Sequence, residues 1–253
     1  MLNTVEYGEG AVPLLIVHGL FGSARNWRVL QKRLAEGRRV IAVDLRNHGD
    51  SFWDADNSYE ALANDLAEVI KAHGGVADVL GHSMGGKAAM VLALTKPEMV
   101  RRLIVADIAP VAYSHTQARH IEAMKAVDMG AVTRRSEADK QLALQVDDAP
   151  LRAFFLQSIA LADGGARWKL NLEALGCEMP KIMNFPDIAG SYEGPTLFLR
   201  GANSAYVKPE MTGEIRQLFP KAEFVALEGA GHWLHAEKPR EFQAAVQAFL
   251  RAG

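Results

Sequence analysis

A serine flanked by glycines is the residue of this sequence whose setting most clearly indicates chemistry. Ser83 lies in Gly81-His-Ser83-Met-Gly85, directly after an apolar run at residues 76–80 and before a stretch of helical period. A turn of this kind lifts the serine hydroxyl above a sheet, and glycines two residues to either side leave room for neighbouring backbone. In this strand–turn–helix context the motif predicts that Ser83 is a nucleophile.

The same residues also match the opening of a phosphate-binding loop. Gly81 is followed five residues later by Gly86 and then by Lys87. That loop next requires Ser or Thr, whose hydroxyl holds a magnesium ion, whereas this chain has Ala88. Because a methyl group cannot bind a metal, we set the nucleotide-binding interpretation aside.

A nucleophilic serine needs a base, and His232 is the best candidate. It lies in the glycine-rich segment Glu228-Gly-Ala-Gly-His232-Trp, between the last predicted strand and the last predicted helix. In an open α/β sheet such a loop opens at the carboxyl ends of the strands, beside the serine. His235, three residues further on, is the alternative base.

The tetrahedral intermediate formed on a serine carries negative charge and needs N–H donors. The segment HGLFG at residues 18–22 follows an early predicted strand. The backbone N–H groups of Leu20 and of Met84, the residue after the nucleophile, are therefore predicted to form an oxyanion hole.

The elements that position these residues follow from an alternation of short apolar runs and longer segments of helical period. Strands are predicted at residues 14–18, 40–43, 76–80, 103–108, 196–199 and 224–227. Helices are predicted at residues 27–35, 59–72, 84–94, 210–219 and 240–251. Most of the runs are apolar throughout, as is typical of parallel strands covered on both faces. The alternation predicts an α/β fold with a doubly wound, mostly parallel sheet.

The alternation stops between residues 111 and 190. Helical patches occur there at residues 116–127, 137–144 and 149–161, without a convincing buried strand. Eighty residues are too many for a loop in a compact domain. We therefore predict a helical cap at residues 111–190, inserted into a core formed by residues 1–110 and 191–253.

The substrate pocket is predicted to involve both parts. Phe21 and Trp233 are expected to line it, and the segment at residues 44–51 is interpreted as a structural loop in which Arg46 or His48 could touch substrate. The cap contains apolar residues suited to an acyl chain, namely Phe154, Phe155, Leu156, Trp168, Met124, Met179 and Met183. It also contains basic residues that could grip a coenzyme A phosphate, namely Arg119, Arg134, Arg135, Arg152, Arg167 and Lys169. The cap has nine Lys and Arg against ten Asp and Glu, so charge does not favour a thioester substrate.

Composition excludes several other classes of protein. The 253 residues carry 28 Lys and Arg against 30 Asp and Glu, so nucleic acid and anionic membranes are poor partners. A single cysteine, Cys177, forms neither an internal disulfide nor a thiolate metal site and is expected to be a small buried hydrophobe. The start lacks the pattern of a secretory signal, and no apolar run reaches about 18 residues. We expect a cytoplasmic monomer or small homo-oligomer that acts on a small molecule and needs no metal or organic cofactor.

Several segments together resemble the α/β-hydrolase superfamily. The segments HGLFGSARNW, DLRNHGDS, GHSMGGKA, DIAP and GAGHWLHAEKP are similar to those of the YbfF-type branch of esterases and thioesterases. The resemblance runs from about residue 13 to residue 250 and is weakest in the cap. It implies a Ser-His-Asp triad on an α/β-hydrolase fold.

The acid of that triad is where this chain departs from many members of the superfamily. They carry Asp in the loop after the strand at residues 196–199, whereas this chain has ANSAY at residues 202–206. Asp107 ends an apolar strand, where a carboxylate is costly unless paired, and the resemblance points to the same residue. Glu173 in the cap and Glu210 are the alternatives.

The sequence thus predicts a serine hydrolase of carboxylic esters that could also cleave acyl thioesters such as acyl-CoA. Three alternatives stay open. A lyase or carbon–carbon bond hydrolase would use the same triad, and so would a cofactor-free perhydrolase. A non-catalytic binding protein of the same fold would keep the pocket without turnover.

Overall fold

The computed structural model describes residues 1–162 and 165–252, which form a seven-stranded sheet with helices on both faces. The strands of this sheet are β1 (Thr4–Tyr7), β2 (Leu14–Val17), β3 (Val40–Val43), β4 (Ala77–His82), β5 (Val100–Ala106), β8 (Thr196–Gly201) and β9 (Ala222–Leu227). A two-stranded sheet consists of β6 (Ile159–Ala162) and β7 (Gly165–Trp168).

The described helices lie before, within and after the predicted cap. Those of the core are α1 (Ala24–Leu34), α2 (Tyr59–Ala72), α3 (Met84–Thr95), α9 (Thr212–Leu218), α10 (Leu234–Glu237) and α11 (Pro239–Arg251). Those between β5 and β8 are α4 (Ala118–Lys125), α5 (Arg135–Leu142), α6 (Ala149–Leu156), α7 (Leu172–Cys177) and α8 (Met179–Met183). No helix within residues 1–162 and 165–252 is both long and apolar enough to span a membrane.

The large sheet has the strand order β1-β3-β2-β4-β5-β8-β9, and only the β1–β3 pair is antiparallel. Strands β2, β3 and β4 are buried along their whole length. One apolar cluster packs α1 and α11 on one face, and a second packs α2, α3 and α9 on the other. These features confirm the predicted doubly wound, mostly parallel sheet. The antiparallel edge strand β1 was not predicted, because its alternating residues lack a continuous apolar run.

Register brings the ends of the central strands to one level. His82, the last residue of β4, is paired with Ala106, the last residue of β5. The ladder extends one residue further, since the amide of Ser83 donates to Ala106 O at 3.0 Å and that of Asp107 to Leu199 O at 2.9 Å. Ser83 and Asp107 therefore leave neighbouring strands at the same edge of the sheet.

Between β5 and β8, the part of the chain that the structure describes forms five α-helices and the β6–β7 hairpin. The hairpin corrects the prediction of a helix over residues 149–161, because α6 ends at Leu156 and a strand begins at Ile159. Strands of four residues are too short to show a clear alternation of apolar and polar residues, and the alanines at 160 and 162 favour a helix locally. The bounds of the cap and of the core stay a prediction.

Cys177 lies at the end of α7 and is exposed, so the expectation of a buried cysteine is wrong. Leu172, Ala174 and Leu175 already form the buried face of that short helix.

Candidate active site

Ser83 stands at a strained turn between β4 and α3. Its backbone has φ 53° and ψ −123°, a region that non-glycine residues rarely adopt. A Cβ added at Gly81 would collide with the backbone of Gly85, and one added at Gly85 would collide with that of His18. The glycines of the motif are thus required by close approach of backbone, and the turn exposes the serine hydroxyl.

His232 lies between the serine and a carboxylate. Its Nε2 accepts a hydrogen bond from Ser83 Oγ at 3.1 Å, and its Nδ1 donates to Asp107 Oδ2 at 2.8 Å. The side chain of Asp107 is fully buried, whereas the imidazole of His232 is 23% exposed and lines a cavity between the edge of the sheet and the predicted cap. The structure brings together the three residues that the sequence analysis preferred.

Asp107 is held by several donors. The amide of Gly201 donates to Oδ1 at 3.0 Å, and the hydroxyl of Ser204 donates to Oδ2 alongside His232. These bonds supply hydrogen-bond partners to both oxygens of a buried carboxylate. Ser204 was not singled out from the sequence; its place in the loop that lacks an Asp was the available signal.

The alternative acids lie elsewhere. The carboxylate of Glu173 is 81% exposed and pairs with Lys125 at 2.9 Å. Glu210 is exposed in the turn before α9. Within residues 1–162 and 165–252, Asp107 alone among these three carboxylates contacts His232.

The alternative base, His235, is packed into the core. Its ring is stacked on Trp27, with centroids 4.3 Å apart and planes inclined by 10°. Burial and the neighbouring His232 lower the pKa of His235 to about 3, so it is neutral at pH 7. Ser83 Oγ is hydrogen-bonded to His232 instead.

Two further rings hold His232 in place. The ring of Tyr206 lies against His232, with centroids 4.0 Å apart and planes inclined by 23°. His82 Nε2 donates to the backbone carbonyl of His232 at 2.9 Å. Burial and the neighbouring imidazoles of His235 and His232 lower the pKa of His82 well below its usual value, so the ring is a neutral structural donor.

The backbone N–H groups of Leu20 and Met84 flank Ser83. Met84 is the first residue of α3, so its amide has no partner within the helix. No group in residues 1–162 and 165–252 accepts a hydrogen bond from either amide. A Cβ at Gly19 would lie 3.1 Å from Ser83 Cβ, which brings the loop of Leu20 directly against the serine.

Two buried histidines support that loop. His48 Nδ1 donates to Arg46 O at 2.9 Å, so its Nε2 accepts from the amide of Phe21 at 3.2 Å. His18 Nδ1 donates to Gly19 O at 2.8 Å, and its Nε2 accepts from the amide of Leu45. These roles require neutral rings.

Burial favours that neutral state. It is the main cause that lowers the pKa of His48 to about 3, with a smaller contribution from His18. Burial also lowers the pKa of His18. Arg46 donates to Asp65 at 2.6 Å, and neither Arg46 nor His48 lines the cavity, so the structural interpretation of residues 44–51 fits.

Ser83 opens into a cavity between the core and the predicted cap. Phe21 and Trp233 both line this cavity. Each meets an aromatic residue of α6: Phe21 contacts Phe155 with ring centroids 5.5 Å apart, and Trp233 contacts Phe154 with centroids 5.8 Å apart. The wall of the cavity is therefore shared by the two parts of the chain.

The basic residues of the cap are mostly engaged with protein groups. Arg134 pairs with Glu137, and Lys169 pairs with Asp50. Arg135 and Arg152 donate to backbone carbonyls. No cluster of three or more His, Cys, Asp or Glu residues that could hold a metal ion occurs within residues 1–162 and 165–252.

Comparison with known proteins gives a direct match. Residues 14–245 match the alpha/beta hydrolase family. The chain belongs to this family. It is 46% identical over 254 residues to the Mus musculus protein named sn-1-specific diacylglycerol lipase ABHD11, covering 96% of this chain and 82% of the mouse protein.

Two further relatives are named esterases. Esterase YbfF of Escherichia coli K12 is 36% identical, covering 98% of this chain and 96% of that protein. A solved structure described as a marine microorganism esterase is 38% identical, has a TM-score of 0.94 and covers 98% of both chains. The predicted resemblance to YbfF-type esterases is confirmed, and this α/β hydrolase is an ester-hydrolysing enzyme.

Proposed function

We propose that this α/β hydrolase cleaves carboxylic esters through an acyl-enzyme on Ser83. The observation that carries the proposal is the continuous chain of hydrogen bonds from Ser83 Oγ through His232 to Asp107. A hydroxyl, an imidazole and a buried carboxylate in this order form the arrangement that activates serine for acyl transfer.

His232 removes the proton of Ser83 as the serine oxygen attacks the acyl carbonyl carbon. The amides of Leu20 and Met84 hold the negative oxygen of the resulting tetrahedral intermediate. The imidazolium then protonates the leaving alkoxide, and the ester bond breaks. Asp107 orients the ring and stabilises its positive charge throughout.

A water molecule completes the cycle. His232 accepts a proton from the water as its oxygen attacks the acyl-enzyme, and the same proton returns to Ser83 when the acid leaves. The partial exposure of the imidazole supports this step, because water can reach it from the cavity.

The lining of the cavity supports a proposal for the substrate class. Phe154 and Phe155 from the cap, with Phe21 and Trp233 from the core, favour an apolar acyl chain. The mouse relative is named for hydrolysis of a neutral ester, a diacylglycerol. Acyl thioesters such as acyl-CoA are a second substrate class of the same chemistry, but the engaged basic residues of the cap do not favour their phosphates. A cytoplasmic location and a monomer or small homo-oligomer stay predictions.

The test is the initial rate of p-nitrophenyl butyrate hydrolysis by the purified chain, with the Ser83→Ala protein as control. We expect turnover that disappears in the variant, and butyryl-CoA measured in parallel decides whether thioesters are also cleaved. Turnover that persists in Ser83→Ala would contradict the proposal. Absence of turnover in the unmodified chain, even with longer acyl chains, would favour a lyase or carbon–carbon bond hydrolase.

A further inference from the structure

Lys87 is a buried cation next to the proposed nucleophile. It lies on α3 four residues after Ser83 and is only 1% exposed. No carboxylate within residues 1–162 and 165–252 forms an ion pair with it. Because burial of an ammonium without a counter-charge is costly, its remaining contacts must compensate.

Those contacts use all of its donors. Nζ donates to the backbone carbonyls of Val111 at 2.9 Å, Met183 at 3.2 Å and Asn184 at 2.6 Å. It also lies 4.8 Å from the centroid of the Tyr113 ring. An ammonium has three N–H groups and no acceptor, so none remains for a substrate although the side chain lines the cavity.

The three carbonyls lie on the two cap connections, which are the segments at either end of the predicted cap that join it to the core. Val111 follows β5 and begins the predicted cap, whereas Met183 ends α8 and Asn184 follows it. The amide of Tyr113 also donates to Met183 O at 2.9 Å and joins the two connections directly. Both connections therefore meet at one ammonium carried by the nucleophile helix.

His232 is held mainly by groups that Lys87 does not contact, because its Nδ1 donates to Asp107 and its backbone carbonyl accepts from His82. The hydroxyl of Tyr113 accepts from the amide of Ala109 at 2.9 Å and donates to Tyr206 O at 2.7 Å. Tyr206 in turn lies against His232. Tyr113 thereby links the residue Ala109, shortly after β5, with Tyr206, shortly after β8, on the side of the site where His232 lies.

We propose that Lys87 is a positioning residue that fastens both cap connections to the nucleophile helix. It thereby fixes the acyl pocket, while the geometry of Ser83, His232 and Asp107 is set by the core. This inference rests on the ester hydrolysis proposed above.

The chemistry of the ammonium is consistent with this role. Burial lowers the pKa of Lys87 to about 7. The three carbonyl acceptors favour the charged form and replace the water that surrounds an exposed ammonium. These bonds offset only part of the cost of burying the cation, since its pKa stays below the usual value.

The decisive experiment compares Lys87→Met with Lys96→Met. Lys96 lies at the carboxyl end of the same helix, and its Nζ donates to Asn64 Oδ1 at 2.8 Å, away from the cavity. For Lys87→Met we expect kcat/KM with p-nitrophenyl octanoate to fall by about tenfold or more, mainly through KM, because the acyl pocket loses its shape. Turnover of p-nitrophenyl acetate and the rate of Ser83 inactivation by diethyl p-nitrophenyl phosphate should stay within about threefold, since neither depends on the distant part of the pocket. Lys96→Met should match the unmodified chain in all three.

Two results would overturn the inference. Unchanged kcat/KM for octanoate in folded Lys87→Met would show that the hydrogen bonds of Lys87 are not needed to shape the acyl pocket. Equal losses for octanoate, acetate and the organophosphate would show that Lys87 acts on the nucleophile itself. If Lys87→Met does not fold, Lys87→Gln, which is neutral but keeps donors for one carbonyl, is measured by the same criteria.

A second readout does not use activity. Hydrogen exchange of residues 111–115 and 181–186 should be faster in Lys87→Met than in Lys96→Met, because the connections lose their common donor. Equal exchange in the two variants would contradict the inference. Failure of the proposed function is a separate result, recognised by the absence of Ser83-dependent turnover in the unmodified chain.

Discussion

The carboxyl edge of the sheet and the cap differ in backbone conformation. Each of the parallel strands β2, β3, β4 and β5 is followed within a few residues by a non-glycine residue with positive φ. These residues are Phe21 (64°), Asn47 (66°), Ser83 (53°) and Asp107 (51°). Between Val111 and Gly190, in the part of the cap that the structure describes, no non-glycine residue has a positive φ.

Such conformations cost about 1–3 kcal/mol each and persist only where surrounding contacts over-determine them. At the edge those contacts are backbone ladders and buried polar groups, such as the bond from the amide of Phe21 to His48. The cap contributes mainly side chains, such as Phe154 and Phe155, on regular elements. We therefore expect changes at the edge to alter the chemical step, and changes in the cap to alter which acyl chain is accepted.

The largest effect is expected for the base. His232→Ala should lower kcat for p-nitrophenyl butyrate by about four to six orders of magnitude, because no other described group in contact with Ser83 Oγ can take its proton. Initial rates with purified protein measure this. A loss of less than about tenfold would show that another residue acts as the base.

The next effect concerns the acid. Asp107→Asn should lower kcat by roughly three to four orders of magnitude, because an amide cannot stabilise the imidazolium and favours the wrong tautomer. Glu173→Gln and Glu210→Gln are matched controls, and both should keep normal rates because these carboxylates are exposed. Near-normal activity of Asp107→Asn would break the assignment of the acid.

A smaller effect is expected in the cap. In Phe154→Ala, kcat/KM for p-nitrophenyl octanoate should fall by about tenfold relative to kcat/KM for p-nitrophenyl acetate. One methylene in an apolar pocket changes the transition-state free energy by roughly 1–3 kcal/mol, and removal of the ring takes away contacts with the longer acyl chain. Leu144→Ala is the control, as Leu144 is 84% exposed. An equal reduction for both esters would contradict the division of roles between edge and cap.

The smallest effect is a change in the pH dependence of stability. Burial lowers the pKa of His235 to about 3, from about 6.5 in the unfolded chain, so between these values the unfolded chain binds more protons and stability falls on acidification. His235→Phe keeps a ring on Trp27 and removes this site. In this variant the free energy of unfolding, measured with urea between pH 6.5 and 4, should therefore change less with pH than in the unmodified chain. The slope should be smaller by at most about 1.4 kcal/mol per pH unit. An unchanged slope would show that His235 does not remain neutral in the folded chain.

The contrast between edge and cap also explains which features could be predicted. Ser83 and its glycines were recognisable because a tight turn restricts residue types locally. The parallel strands were recognisable because burial on both faces requires continuous apolar runs. The β6–β7 hairpin was missed, because its pairing and the hydrogen bond from Trp168 to Met124 are not encoded in a local period.

Local sequence patterns predicted the fold class, a candidate nucleophile and the candidates for base and acid, because backbone sterics and burial act over a few residues. The contacts that favour His232 over His235, and Asp107 over Glu173 and Glu210, become visible only in the folded chain. These choices depend on contacts between residues far apart in the chain, such as Asp107 with Gly201 and Ser204. The role of Lys87 belongs to the same class: it depends on three carbonyls from both ends of the cap, which only the folded chain brings together.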